Sequence, residues 1–175
     1  MIMLSMKSIR NVALSALLTI GAFSAITYTS CNKDECKDVV CKNNGTCVAG
    51  VCSCPTGYEG TNCESEGRAK FVKTWTASDK EVVAGTSLPA YSAIITSGTT
   101  IVDIKISKFS DSYFTNEVKA TVSGSTITIP SQAPDSDGYT VEGTGTYNST
   151  DKKITWSYTI KNPLGVSKSY SGTWN

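Results

Sequence analysis

The sequence has 175 residues, a formal net charge of +1 and no histidine. The near-neutral balance gives no footing for nucleic acid or for a strongly charged substrate. The missing histidine removes Ser-His-Asp and Cys-His nucleophiles, histidine general bases and most zinc enzymes, so the chain is read as non-enzymatic and without a cofactor. All seven cysteines lie between Cys31 and Cys63, and the chain beyond Arg68 is rich in Thr, Ser, Ile, Val and Tyr. That split predicts a cross-linked segment followed by a separate β domain.

Residues 1–30 read as an export signal. Lys7 and Arg10 supply the cationic flank, and Val12 to Phe23 is an uncharged, mostly apolar run too short to span a bilayer comfortably as a mature helix. Met6 is an alternative start that would place Lys7 directly behind the initiator. Thr29, Ser30 and Cys31 resemble the lipobox of bacterial lipoproteins, in which small residues precede a cysteine that is lipidated and becomes the mature N-terminus. Tyr28 stands where that family usually has Leu. The alternative is type I cleavage near Cys31 without a lipid. Lys33-Asp34-Glu35 resembles the short signal that sends Bacteroidota lipoproteins to the outer face of the outer membrane. The resemblance implies lipidation at Cys31, a tether over 31–35, and a membrane contact made through the N-terminal lipid.

The next six cysteines, Cys36, Cys41, Cys47, Cys52, Cys54 and Cys63, follow the spacing C-x4-C-x5-C-x4-C-x-C-x8-C. Six cysteines permit fifteen pairings, and spacing alone does not choose among them. So short a segment cannot bury enough apolar surface to fold unaided, and disulfides substitute for a core. An exported chain meets the oxidising conditions in which they persist. A metal cluster is the rival reading; it lacks histidine and paired C-x2-C spacing. Cys52-Ser53-Cys54-Pro55-Thr56-Gly57-Tyr58-Glu59-Gly60-Thr61-Asn62-Cys63 resembles the closing signature of EGF-like domains, C-x-C-x2-G-[YF]-x-G-x2-C. The resemblance covers 36–64 and implies the pairs Cys36–Cys47, Cys41–Cys52 and Cys54–Cys63. Cys31 is then the odd cysteine, and lipidation consumes it. The run from Asn32 to Cys36 superficially resembles the lead-in of calcium-binding EGF-like domains. Val48 to Val51 offers none of the oxygen or aromatic residues that subclass uses, so no calcium site is expected.

From 68 to 175 the chain alternates with period two. Ile154, Trp156, Tyr158 and Ile160 share one face, with Thr155, Ser157 and Thr159 on the other. Eight strands are expected, near 69–77, 90–96, 100–108, 114–122, 125–130, 139–147, 153–161 and 166–174, separated by Gly, Ser, Asn and Pro turn signals. Eight strands joined in a meander close a small antiparallel barrel; an immunoglobulin-like β-sandwich is the alternative. Gly143 and Gly145 share the inward phase with Tyr139, Val141 and Tyr147, where they let the strand bend or let facing side chains fill the space. Phe71 to Trp75, with Gly172-Thr173-Trp174 at the other end, resembles the opening and closing strands of lipocalin-like barrels, with Lys73 where that family has Gly. Small Bacteroidota lipoproteins with lipocalin-like C-terminal domains have this general look.

Trp75, Trp156, Trp174, Tyr91, Tyr139, Tyr158 and Tyr170 are mostly inward and are assigned to the core. Lys73 and Lys168 are placed in the inward phase of neighbouring strands, where they emerge into solvent. Asp135 and Asp137 are assigned to a solvated loop. No catalytic or metal constellation stands out. The expected function is binding or adhesion by a monomeric, surface-anchored lipoprotein, with an EGF-like spacer carrying a β-domain head toward a protein or glycan partner. The alternatives are a carrier of a small apolar ligand and an inhibitor of secreted enzymes. A barrel cavity of roughly 300 Å³ or more would favour the carrier, and a filled core would favour loop-mediated binding.

Overall fold

The computed structural model describes residues 35–111 and 113–175, and Cys36–Asn175 forms one compact unit. The expected signal and Cys31 lie outside the described residues.

The cysteine-rich segment holds four short strands: β1 (Thr46–Val48), β2 (Val51–Ser53), β3 (Tyr58–Glu59) and β4 (Ser65–Glu66). β1 and β2 pair antiparallel with Val48 opposite Val51. The two residues between them, Ala49 and Gly50, both take positive φ, the two-residue turn whose twist suits a tight hairpin. Three disulfides join Cys36 to Cys47, Cys41 to Cys52 and Cys54 to Cys63, the pairing that the resemblance implies. Cys52 and Cys63 are the segment's only buried apolar side chains. It is held by sulfur because it has nothing else to bury.

The remaining strands are β5 (Thr74–Glu81), β6 (Tyr91–Ser97), β7 (Asp103–Ser107), β8 (Val118–Ser123), β9 (Thr126–Gln132), β10 (Thr140–Asn148), β11 (Lys153–Lys161) and β12 (Ser167–Trp174). Each pairs antiparallel with its neighbours in sequence, and β12 closes on β5, giving an eight-stranded barrel with no free edge. Alternation sets the inside. Along β11, Ile154, Trp156, Tyr158 and Ile160 are buried while Thr155 and Ser157 face solvent. Gly145 stands opposite Trp156 and Gly143 opposite Tyr158. A Cβ on Gly145 would lie 3.0 Å from the Trp156 ring, and one on Gly143 would run into Tyr158. The facing large residues fill the space these glycines leave.

Two expected strands are shifted. The first starts at Thr74 rather than 69, because 68–72 is a run of turns, with Phe71 N–H donating to Arg68 O at 2.9 Å and Val72 N–H to Ala69 O at 3.3 Å. Phe71 is nonetheless buried, since the turn drops its ring into the barrel end against Tyr147. The fourth starts at Val118 rather than 114; Phe114 is buried from a loop, and Asn116 is exposed.

The barrel has two unlike ends. One carries the connections 98–102, 124–125 and 149–152, and receives the disulfide segment. There Arg68 Nη1 donates to the carbonyl oxygens of Gly98, Thr100 and Asp103 at 3.2, 2.6 and 3.1 Å. Lys70 pairs with Glu59 at 2.7 Å. Gly57 lies so close to Ile101 that a Cβ would meet its Cγ2 at 2.5 Å. The distal end carries the connections 82–90, 108–117, 133–139 and 162–166.

Candidate functional site

The interior is occupied by the protein's own rings. Lys108, Ser110 and Asp111 all have positive φ. This left-handed stretch in the β7–β8 connection turns the chain back into the barrel mouth. It carries Phe109 inside, with ring centroids 4.8 Å from Tyr158, 5.5 Å from Trp156 and 5.7 Å from Trp174. Trp156 and Trp174 lie 4.9 Å apart. The indole Nε1 of Trp156 is buried without a hydrogen-bond partner.

Among these rings sits Asp79, on the inward phase of β5 and 3% exposed. Its Oδ2 accepts from the Tyr91 hydroxyl at 2.5 Å and the Tyr158 hydroxyl at 2.8 Å, and its Oδ1 from Trp174 Nε1 at 3.1 Å. Ser110 joins from the inserted loop. Its backbone N–H donates to the Tyr91 oxygen at 3.0 Å, and its hydroxyl lies 3.1 Å from that of Tyr158. Tyr158 has one proton and gives it to the carboxylate, so Ser110 is the donor of the second contact. Gly172, paired opposite Asp79, makes the room: a Cβ there would collide with Oδ1. Burial first, and then the nearby Asp79 carboxylate, push the Tyr91 and Tyr158 hydroxyls far above the ordinary phenol range. Both therefore stay protonated and remain donors. The carboxylate has its oxygens taken by three donors and is closed to solvent, which makes this a structural latch on the β7–β8 loop rather than a reactive centre.

The sequence-derived candidates disperse. Lys73 and Lys168 are both exposed: they keep the phase of the buried Trp75 and Tyr170 but lie where the strands emerge into solvent, as expected. Their strands run antiparallel, so the two lysines lie at opposite ends. Lys73 Nζ sits 3.9 Å from the Trp75 ring centroid, and Lys168 pairs with Glu81 at 3.0 Å at the distal end. Asp135 is in an exposed loop, and its carboxylate accepts from the Thr115 and Asn116 N–H groups at 2.7 Å each, tying two distal loops together. Asp137 accepts from Tyr139 N–H at 3.0 Å. Among the described residues no group of three or more His, Cys, Asp or Glu is placed to hold a metal ion.

Two surface features remain at the distal end. Val82, Val83, Leu164 and Val166 form exposed apolar tips on neighbouring loops, Val83 and Leu164 being about nine-tenths exposed; Val82 N–H donates to Ser169 O on the adjacent strand. On the outer wall beside them lies a cleft of about 640 Å³, lined by polar side chains of β9 to β12 and by the 162–165 turn. Sequence reading missed Phe109, Ser110 and Asp79. Asp79 had a signal, since Trp75 and Ala77 set its phase. No protein-family model and no curated protein matches this sequence.

Proposed function

We propose that this chain is a non-enzymatic, surface-anchored bacterial lipoprotein that recognises a partner through the distal end of its barrel. Cys31 carries the lipid, the disulfide segment is an EGF-like spacer, and the barrel is a lipocalin-like head. The observation that carries this reading is the polarity of the molecule. The disulfide segment packs on one end of the barrel, and the four distal connections stand at the other, with exposed apolar tips. Rigid scaffolds present recognition loops in this way. Phe109 occupies the space that a carried ligand would take, which favours recognition outside the barrel over carriage within it.

The anchor is tested by metabolic labelling with a radioactive fatty acid: wild type should take up label, and Cys31→Ala should not. Recognition is tested with cells displaying the protein, layered on immobilised proteins and glycoproteins. Val83→Asp at the distal tip should reduce retention, while Ser123→Asp at the opposite end should leave it unchanged. Equal loss in both variants, or none in either, overturns the assignment.

A further inference from the structure

The outer-wall cleft at the distal end is built from four strands and has the chemistry of one ligand class. Thr140 stands directly opposite Lys161, and Glu142 opposite Thr159, across β10 and β11. Lys161 in turn faces Ser167 across β11 and β12. Direct cross-strand partners share a face with Cβ atoms about 5 Å apart, so these groups converge on one patch. β9 adds to it through an irregularity. Val141 pairs with Gln132 and Gly143 with Ile129, which leaves Pro130 and Ser131 both opposite Glu142. This is a β-bulge, the place in a sheet that tolerates proline. The Gln132 side chain replaces the ladder bonds lost there, accepting from Lys119 N–H at 2.9 Å and donating to Lys119 O at 2.7 Å. The bulge leaves Ser131 lining the cleft.

The lining has matched but unspent charge. Neither Glu142 nor Lys161 forms an ion pair with a described residue. They lie diagonally across the strand pair, so a ligand can reach both. One carboxylate and one ammonium cancel, which gives no attraction to phosphate or sulfate groups. No aromatic ring lines the cleft, so a nucleobase has nothing to stack on. The Thr159 hydroxyl has one long contact, with Ser169 Oγ at 3.3 Å, and like the other hydroxyls keeps further capacity for partners that donate and accept; the carboxylate needs donors, and the ammonium needs acceptors. A neutral, polyhydroxylated molecule meets all three demands. The cleft volume is in the range of ligand sites and exceeds that of one sugar ring.

We infer that this cleft binds a short neutral oligosaccharide, with Glu142 accepting from adjacent sugar hydroxyls and Lys161 and Thr159 completing the contact. The inference rests on the reading of the distal end as the recognition end. A single site of this kind is weak, and many copies on one surface supply avidity.

The test uses cells displaying the full chain on a printed array of neutral, sialylated and sulfated oligosaccharides, alongside the protein-coated surfaces above. Retention on neutral glycans of two or more units is expected, with a loss of tenfold or more for Glu142→Ala and for Thr159→Val. Ser123→Asp, at the opposite end of the barrel and outside the cleft, should leave glycan retention unchanged. Retention that both cleft variants leave intact, retention confined to charged glycans, or no retention on any glycan overturns the inference. If glycans fail while Val83-dependent adhesion to protein persists, the recognition reading stands without it. If both surfaces fail, the recognition reading falls as well.

Discussion

The disulfide segment and the barrel solve the same problem by opposite means. The segment buries only two apolar side chains, both cysteines, and closes itself with three covalent bonds. The barrel has no cysteine and buries a continuous aromatic and aliphatic core from Phe71 to Trp174. Cross-links stabilise by restricting the unfolded chain, whereas a core stabilises by removing apolar surface from water. The two parts should therefore fail under different insults.

Reduction draws the sharpest line between them. Each disulfide contributes about 2–4 kcal/mol, so reductant should unfold the cysteine-rich segment and leave the barrel's denaturation midpoint unchanged, as read by amide exchange over each part. A barrel midpoint that falls with reductant breaks the comparison. Within the barrel, Trp156→Ala should cost about 3–5 kcal/mol in chemical denaturation. Trp156→Phe should cost much less, because it also removes the unpaired Nε1. Asp79→Ala should cost about 3 kcal/mol, since it strands three buried donors. It should also raise amide exchange across 108–114 more than across β11, because Ser110 is held through the same network.

High pH probes that network from another side. The Tyr91 and Tyr158 pKa values are raised in the fold above the ordinary 10.0. The native state thus holds protons that the unfolded chain releases. The stabilisation is complete below about pH 10 and is lost progressively as pH rises above it. Ultraviolet titration should show these two phenols ionising only when the barrel opens, and Tyr91→Phe should flatten the alkaline decline. The smallest effect is the control: Ser157→Ala, on the outer face, should change stability by no more than about 0.5 kcal/mol. If it matched Trp156→Ala, the inward and outward faces would have to be exchanged.

The same contrast explains what could be read from the chain alone. Cysteine spacing and the alternation from Ile154 to Ile160 are local signals, and both the cross-linked segment and the eight-stranded barrel follow from them. Phe109 gave no such signal. It lies just past the end of β7, where alternation stops, and its entry depends on three left-handed non-glycine residues. Asp79 was hidden by its charge, which reads as the end of a strand although the phase of Trp75 and Ala77 carries through it. The cleft was beyond local reading altogether. Glu142, Lys161, Ser131 and Ser167 come from four strands, and only their register and one bulge bring them together.

Past the joint at Arg68 and a short run of turns the chain enters β5, whose first half (74–77) pairs with β6 and whose second half (77–81) pairs with β12. Thr76 and Asn175 exchange backbone hydrogen bonds at 3.0 and 2.9 Å, so the last residue is fastened beside the first strand. Strands of a closed barrel tilt by about 35–45° to its axis, so a pull applied between the disulfide segment and the distal loops has its larger component along the strands. The ladders flanking β5 are then loaded in shear, with their bonds sharing the force instead of opening one after another. Tension drawn from the proximal side is thus spread around the barrel wall, and the terminal strand, the element most prone to peel in an open sheet, becomes part of what bears it.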